Sequence, residues 1–391
     1  MSSVPVNVNP AILNWVMQKA QLESSNSSII EMITKWISGE KAPTFNQIET
    51  VSKKTNIPFG YFFLDKPPIE DCKIVNFRTV DSIDIQNPSR NLIDTVDSMS
   101  SVQEWMAEYN KDNGASEYTF VGSLKITDDV ISAANTVREE LNLSLNWFEN
   151  LRNAKEAFNS LRNSITDLGV IVMMNGIVGN NTHRTLSVSE FRAFTLVDPY
   201  APLIFINSRD TDNGKLFSLL HELVHVLIGK DDFYNDTHGV SQKVSKEDKE
   251  EQFCNAVAAE ILVPNSMFLN EWSKQSGNSE TIIYTLENKF ICSRFTLLIK
   301  AFNTGKIEKN EFHKLLNLFK EQFEVIQSQK QNKKSGGGDF YRTLSNKWDR
   351  KFIQALYASA QSGRTQYRDV YLLTNTTGTT FHELIRKVGN I

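Results

Sequence analysis

The stretch Leu216 to Ile228, LFSLLHELVHVLI, constrains this 391-residue chain more than any other. Ten of its thirteen residues are apolar or Ser, and Gly229 follows directly. An apolar run of that length closed by glycine predicts a buried helix with a glycine C-cap. His221, Glu222 and His225 interrupt the run. In a buried helix each uncompensated polar group costs several kcal/mol, so these three need partners.

Their spacing names the partner. His221 and His225 are four apart, which places them one above the other on one helix face. Two imidazoles so placed can ligate a single Zn²⁺, and Glu222, beside the first, can reach the attacking water as general base. The pattern is H-E-x-x-H, the zincin motif. The competing reading is two satisfied core histidines and an incidental Glu. The apolar helical context favours the metal.

A catalytic zinc site normally has three protein ligands and a water. No His follows at metzincin spacing; Lys230, Asp231 and Asp232 come after Gly229 instead. The next candidate lies on a helix expected from about Lys246 to Leu262, with Phe253, Ala256, Val257, Ala259 and Ile261 as its apolar face and Pro264 beyond its end. Glu251 and Asn255 are four apart on it. Glu251 can complete the metal, and Asn255, one turn later, can hold a ligand His by its other nitrogen. This resembles the gluzincin plan. Three alternatives stand beside it. Glu251 could belong to a solvated acidic cluster with Glu247, Asp248 and Glu250, or the third ligand could be Glu260, or His238 in a polar loop.

Composition bounds the rest. A chain of 391 residues suggests two to four domains, and 40% hydrophobic with 23% charged residues is ordinary for a soluble globular protein. A net charge of -4 excludes a global basic field, so any nucleic-acid contact would be local. Cys72, Cys254 and Cys292 are far apart and form no C-x-x-C, which argues against disulfides and a cysteine metal site and suits a reducing cytoplasm. MSSVPVNVNP lacks the marks of a signal peptide, and no run of eighteen apolar residues exists to span a membrane.

Residues 10 to 64 read as a small helical bundle. Pro10 opens a helix, and two short helical pieces follow, around Ser28 to Ile33 and Lys35 to Ser38. Thr44 and Gln47 fit a capping box for a helix that buries Phe45, Ile48 and Val51 and ends near Asn56. Residues 91 to 111, 128 to 141 and 151 to 168 read as amphipathic helices, and Trp105, Trp147 and Phe148 as core. From Gly169 the period changes to short strands, VIVMM, FRAFTLV and PLIFIN, the last two joined as a hairpin through Asp198 to Pro202. Phe191 to Val197 is expected to be an edge strand that receives an extended substrate, with Arg192 placed to meet an acidic residue. Two helices are expected at Phe290 to Phe302 and Glu308 to Phe319, a flexible linker at Gln327 to Gly338, and a small helical tail after it.

Several of these residues carry a resemblance. Trp36, Gly39, Glu40, Pro43, Thr44, Gln47 and the tail Pro58 to Leu64 are similar to the XRE-type (Cro-like) helix-turn-helix that precedes ImmA/IrrE metallopeptidase domains, and Asn76-Phe77-Arg78 resembles the link that follows it. Two departures are visible: Leu22 to Trp36 is short for a full second helix plus recognition helix, and residues 10 to 60 contain no Arg. The run from Phe191 to Gly229 and the run from Glu251 to Pro264 resemble the ImmA/IrrE domain itself.

The resemblance implies an α+β, mostly helical protein with six parts. These are a helix-turn-helix domain (1–68), a helical connecting region (69–150) and a zincin-like, gluzincin-type peptidase domain with a small sheet (151–275). A helical hairpin (276–330), a linker (331–338) and a C-terminal helical extension (339–391) complete it. The expected activity is that of a cytoplasmic zinc endopeptidase that cuts a helix-turn-helix repressor, with His221, His225 and Glu251 on Zn²⁺, Glu222 as base, Asn255 behind the ligands, and DNA a candidate partner of residues 10–64. A second reading, from another class, is a DNA- or partner-binding, antitoxin-like regulator whose metal site is structural or idle.

Overall fold

A computed structural model of the chain describes residues 5–20, 27–68, 88–229, 232–234, 246–331 and 346–388. It divides into two compact units, one of residues 1–77 with 84–98, the other of residues 78–83 with 99–391.

The N-terminal unit is built from α1 (Pro10–Lys19), α2 (Ser27–Ile37), α3 (Phe45–Thr55) and a 3-10 helix, Phe59–Phe63. Asn9 caps α1 by accepting from the Ala11 amide, and Pro10 takes the first turn, where a missing N–H is harmless. The expected capping box of α3 is present: the Gln47 amide donates to Thr44 Oγ1 and the Thr44 amide to Gln47 Oε1. Ile12, Leu13, Val16, Ile33, Ile48, Val51 and Phe62 fill the core. Two expectations are corrected. The pieces expected around Ser28 and Lys35 are one continuous α2. Phe45 is 50% exposed rather than buried and stacks on Phe63 at 5.6 Å, because the first turn of α3 faces the 3-10 helix and not the core.

The division between units falls within α4 (Arg90–Asp112). The second unit continues with α5 (Val130–Glu140), α6 (Ala154–Leu168), β1 (Ile171–Asn175), β2 (Ala193–Leu196), β3 (Leu203–Asn207), α7 (Asp212–Ile228), β4 (Asp232–Tyr234) and α8 (Lys246–Leu262). After these come α9 (Asn265–Ser273), α10 (Ser279–Phe290), α11 (Arg294–Asn303), α12 (Lys309–Gln331), α13 (Arg350–Gln361), α14 (Tyr367–Thr374) and α15 (Gly378–Val388). Among the described residues no helix is long and apolar enough to cross a membrane.

The four strands are ordered β1-β3-β2-β4; β1 runs parallel to β3, and β2 antiparallel to both β3 and β4. The expected β2–β3 hairpin is therefore present, with Thr195 opposite Ile204. The expected free edge at Phe191 to Val197 is not. β2 is paired on both sides, Ala193 meeting Ile206 of β3 and Tyr234 of β4. All four residues of β2 are buried, as in an interior strand. Arg192 is also otherwise engaged: its Nη1 lies 2.9 Å from Oδ2 of the buried Asp210.

One sheet face packs on α7, where Val172, Ala193, Ile204 and Ile206 join one buried cluster with Leu219 and Leu223. On β2 and β3 the intervening Phe194 and Phe205 stack on each other at 4.9 Å. At the outer strand β1, Asp349 caps α13 and also reaches the sheet, accepting from the Val172 amide at 3.2 Å and from Thr166 Oγ1 at 2.6 Å. Arg162 donates from Nη2 to the carbonyls of Val172 and Trp348. Asp349, at the start of α13, thus satisfies the Val172 amide and Arg162, from α6, the Val172 carbonyl, on a strand that has no further strand partner among the described residues.

Downstream, α11 and α12 match the helices expected at Phe290 to Phe302 and Glu308 to Phe319; α10, which was not expected, precedes them and ends just before Ile291, which has a left-handed φ of 50°. α12 runs on to Gln331, so the first five residues of the expected linker are helical and the rest lie outside the described residues. Asn76-Phe77-Arg78 and His238 also lie outside them.

Candidate metal centre

α7 begins one turn earlier than its apolar run, with Thr211 as N-cap accepting from the Gly214 amide. It ends at Gly229, whose φ of 84° suits glycine and whose amide donates to His225 O at 2.9 Å. A Cβ at that position would also meet Gly122 Cα at 3.0 Å. The segment through Gly122 covers the helix end, the Gly122 amide donating to Val226 O and the Leu124 amide to Leu227 O. The last carbonyls of α7 are thereby satisfied, and the helix is fixed at the turn that carries His225.

α8 packs against α7 and α5. Its buried stripe is Phe253, Cys254, Val257, Ala258, Ile261 and Leu262, a regular i, i+4 pattern. Its C-terminal carbonyls are held in turn: Arg138 donates to Glu260 O and Trp147 Nε1 to Ile261 O. This register turns Glu251 and Asn255 towards α7.

His221, Glu222 and His225 are all fully buried. The Nε2 atoms of the two histidines are 3.0 Å apart. Each lies 3.2 Å from a carboxylate oxygen of Glu251, His221 from Oε2 and His225 from Oε1. Asn255 Oδ1 lies 3.0 Å from His221 Nδ1. An amide oxygen only accepts, so Nδ1 carries the proton and Nε2 offers its lone pair. Burial acts to raise the Glu251 carboxyl, but the facing imidazoles of His221 and His225 hold it well below its usual 4.5. Ring nitrogens and carboxylate oxygens converging on one point form a group that could hold a metal ion, and the donor set fits a divalent cation that accepts nitrogen and oxygen.

Geometry bears on Glu260 and Glu250 among the alternatives for the third position; His238 lies outside the described residues. Glu260 is engaged elsewhere: Lys300 Nζ pairs with its Oε2, and the Asn265 amide donates to its Oε1 at 2.9 Å. Glu250 is not a solvated neighbour of Glu251. It is buried, with Oε1 3.8 Å from His225 Nδ1. Cys254 Sγ lies 3.7 Å from the same nitrogen.

Reading the sequence alone also misses Thr195. Its hydroxyl, on β2, donates to Glu222 Oε2 at 2.5 Å. The available signal was a lone hydroxyl residue in the FRAFTLV strand. Glu250 and Cys254 could have been flagged by their place one turn apart beside Glu251.

Residues 179–302 match a peptidase family model described as the IrrE N-terminal-like domain. Residues 348–387, which hold α13 to α15, match a domain of unknown function (DUF8813). The chain is similar to the radiation response metalloprotease IrrE of Deinococcus radiodurans, 38% identical over 68 residues. That stretch is 17% of this chain and 21% of the relative. Residues 179–302, which hold the His221, His225 and Glu251 group, are thus similar to an IrrE-type peptidase domain.

Proposed function

We propose that this chain is a zinc-dependent endopeptidase whose substrate is a helix-turn-helix transcriptional repressor, cut in the cytoplasm to release transcription. The observation that carries the reading is the convergence of two imidazole nitrogens and the Glu251 carboxylate on one buried point. In this reading His221, His225 and Glu251 hold Zn²⁺. Asn255 fixes the tautomer and ring of His221 through Nδ1. Bound zinc supplies Lewis acidity, which acidifies water and polarises a scissile carbonyl.

The protein's own part is proton handling. Glu222, next to the first ligand, accepts a proton from the attacking water and passes it to the leaving amine. Its burial keeps bulk water from competing for that proton. The scissile peptide does not pair with β2, since β3 and β4 occupy both sides of that strand.

In the same reading residues 1–68 form the helix-turn-helix domain and residues 151–275 the peptidase domain. A protein substrate is preferred over DNA as the principal partner, because residues 10–60 contain no Arg and their lysines and glutamates nearly cancel.

The test is cleavage of a proteome-derived peptide library, and of any helix-turn-helix repressor encoded beside this chain, by zinc-loaded protein. New termini are expected with the wild type and none with Glu222→Gln. No new termini with the wild type, or the same termini with both, contradicts the reading.

A further inference from the structure

We propose that Thr195 is a positioning residue that sets the orientation of the Glu222 carboxylate, an inference that rests on Glu222 being the general base. The argument begins with what the strand asks for. Side chains two apart on a strand share a face. Thr195 therefore shares a face with Ala193, and its pairing sets it opposite Ile204. Ala193, Ile204, Ile206 and Val172 on this face are apolar and packed with α7. Valine has the shape of threonine and would suit a fully buried position here without a polar group to satisfy.

A buried hydroxyl left unbonded costs about 1–3 kcal/mol. Here the hydroxyl is answered by one residue. Thr195 Oγ1 is 2.5 Å from Glu222 Oε2 and 3.2 Å from Glu222 O. It carries a single hydrogen, and the shorter, charge-assisted contact to the carboxylate takes it.

That bond has a geometric consequence. The last torsion of a glutamate is broad, so a carboxylate on a helix turns readily about it. The hydroxyl fixes Oε2 against the sheet and so selects Oε1 as the oxygen that meets the water. β2 lies between β3 and β4, so the strand that holds the hydroxyl is itself held on both sides. Glu222 stands one residue from His221, so the base and the two histidines are carried by the same helix, α7. The role is confined to orientation: Thr195 acts through Glu222, which its hydroxyl contacts.

Thr195→Val and Thr195→Ser test this, with zinc content, melting temperature, kcat, KM and crystal structures measured for each, using a peptide that the wild type cleaves in the library. The expected result for Thr195→Val is a kcat lower by about 10- to 100-fold. KM and zinc content stay unchanged, and the Glu222 carboxylate loses its single orientation in the density. Thr195→Ser, which keeps the hydroxyl, restores both kcat and the orientation. A wild-type kcat in Thr195→Val, an unmoved Glu222 in its crystal structure, or a Thr195→Ser as impaired as the valine variant overturns the proposal. If the wild type cleaves nothing, the peptidase reading fails, and the orientation of Glu222 in the two crystal structures still decides the role of Thr195.

Discussion

Asn255 on α8 holds the Nδ1 proton of His221 on α7 at 3.0 Å, and this one bond turns the Nε2 lone pair towards His225 and Glu251. A helix pair thus does more than bring ligands near each other. It also sets the protonation form in which one of them can bind.

Replacing Asn255 by Ala removes that acceptor and leaves the His221 ring free to take the other tautomer. Zinc affinity is expected to fall by about 10- to 100-fold, the range typical of losing a partner behind a ligand histidine. Competition titration with a chromogenic zinc chelator reads this directly. Unchanged affinity would show that Asn255 only packs.

Asp349 joins the C-terminal helices to the sheet. Its carboxylate accepts from the Val172 amide and Thr166 Oγ1, and from the Lys351 and Phe352 amides at the start of α13. Asp349→Ala leaves a buried strand amide and a hydroxyl unsatisfied and removes a helix cap. The expected loss is about 2–4 kcal/mol of stability. Urea unfolding followed by far-UV circular dichroism measures it, and a shift within error would contradict the account of how β1 is covered.

Burial pushes the Cys292 thiol well up, and the Glu287 carboxylate acts in the same direction. Only the thiolate reacts with alkylating agents. A raised value means that the neutral thiol persists through neutral and mildly alkaline pH, so reactivity should not rise between pH 7 and 9 in the folded protein. Iodoacetamide labelling with peptide mapping should find Cys292 unmodified until denaturant is added. Rapid labelling of the native protein at pH 8 would contradict this.

Much of the site was legible because helix geometry is local. The i, i+4 spacings of His221 with His225 and of Glu251 with Asn255 put each pair on one face, whatever the helices pack against. The sheet was legible only in part. FRAFTLV and PLIFIN are strands in the structure, but strand order is a long-range property, and β4 comes from three residues after α7. That pairing makes β2 an interior strand and removes the edge its pattern suggested. Arg192 was misread for the same reason: its partner Asp210 lies beyond the following strand. Thr195 was passed over because a threonine in a strand is ordinary until the helix opposite is seen to present Glu222 to it. Phe45 shows the opposite error, an aromatic residue at helical spacing that faces outward.

The most direct measurement of the central claim is elemental analysis of freshly purified protein after dialysis against metal-free buffer. Wild-type protein is expected to hold one zinc per chain. His221→Ala and His225→Ala are expected to hold none while keeping the helical circular dichroism of the wild type. Wild-type protein that contains no transition metal and takes none up on addition, or variants that retain the wild-type zinc content, would contradict the assignment of His221, His225 and Glu251 as a metal centre.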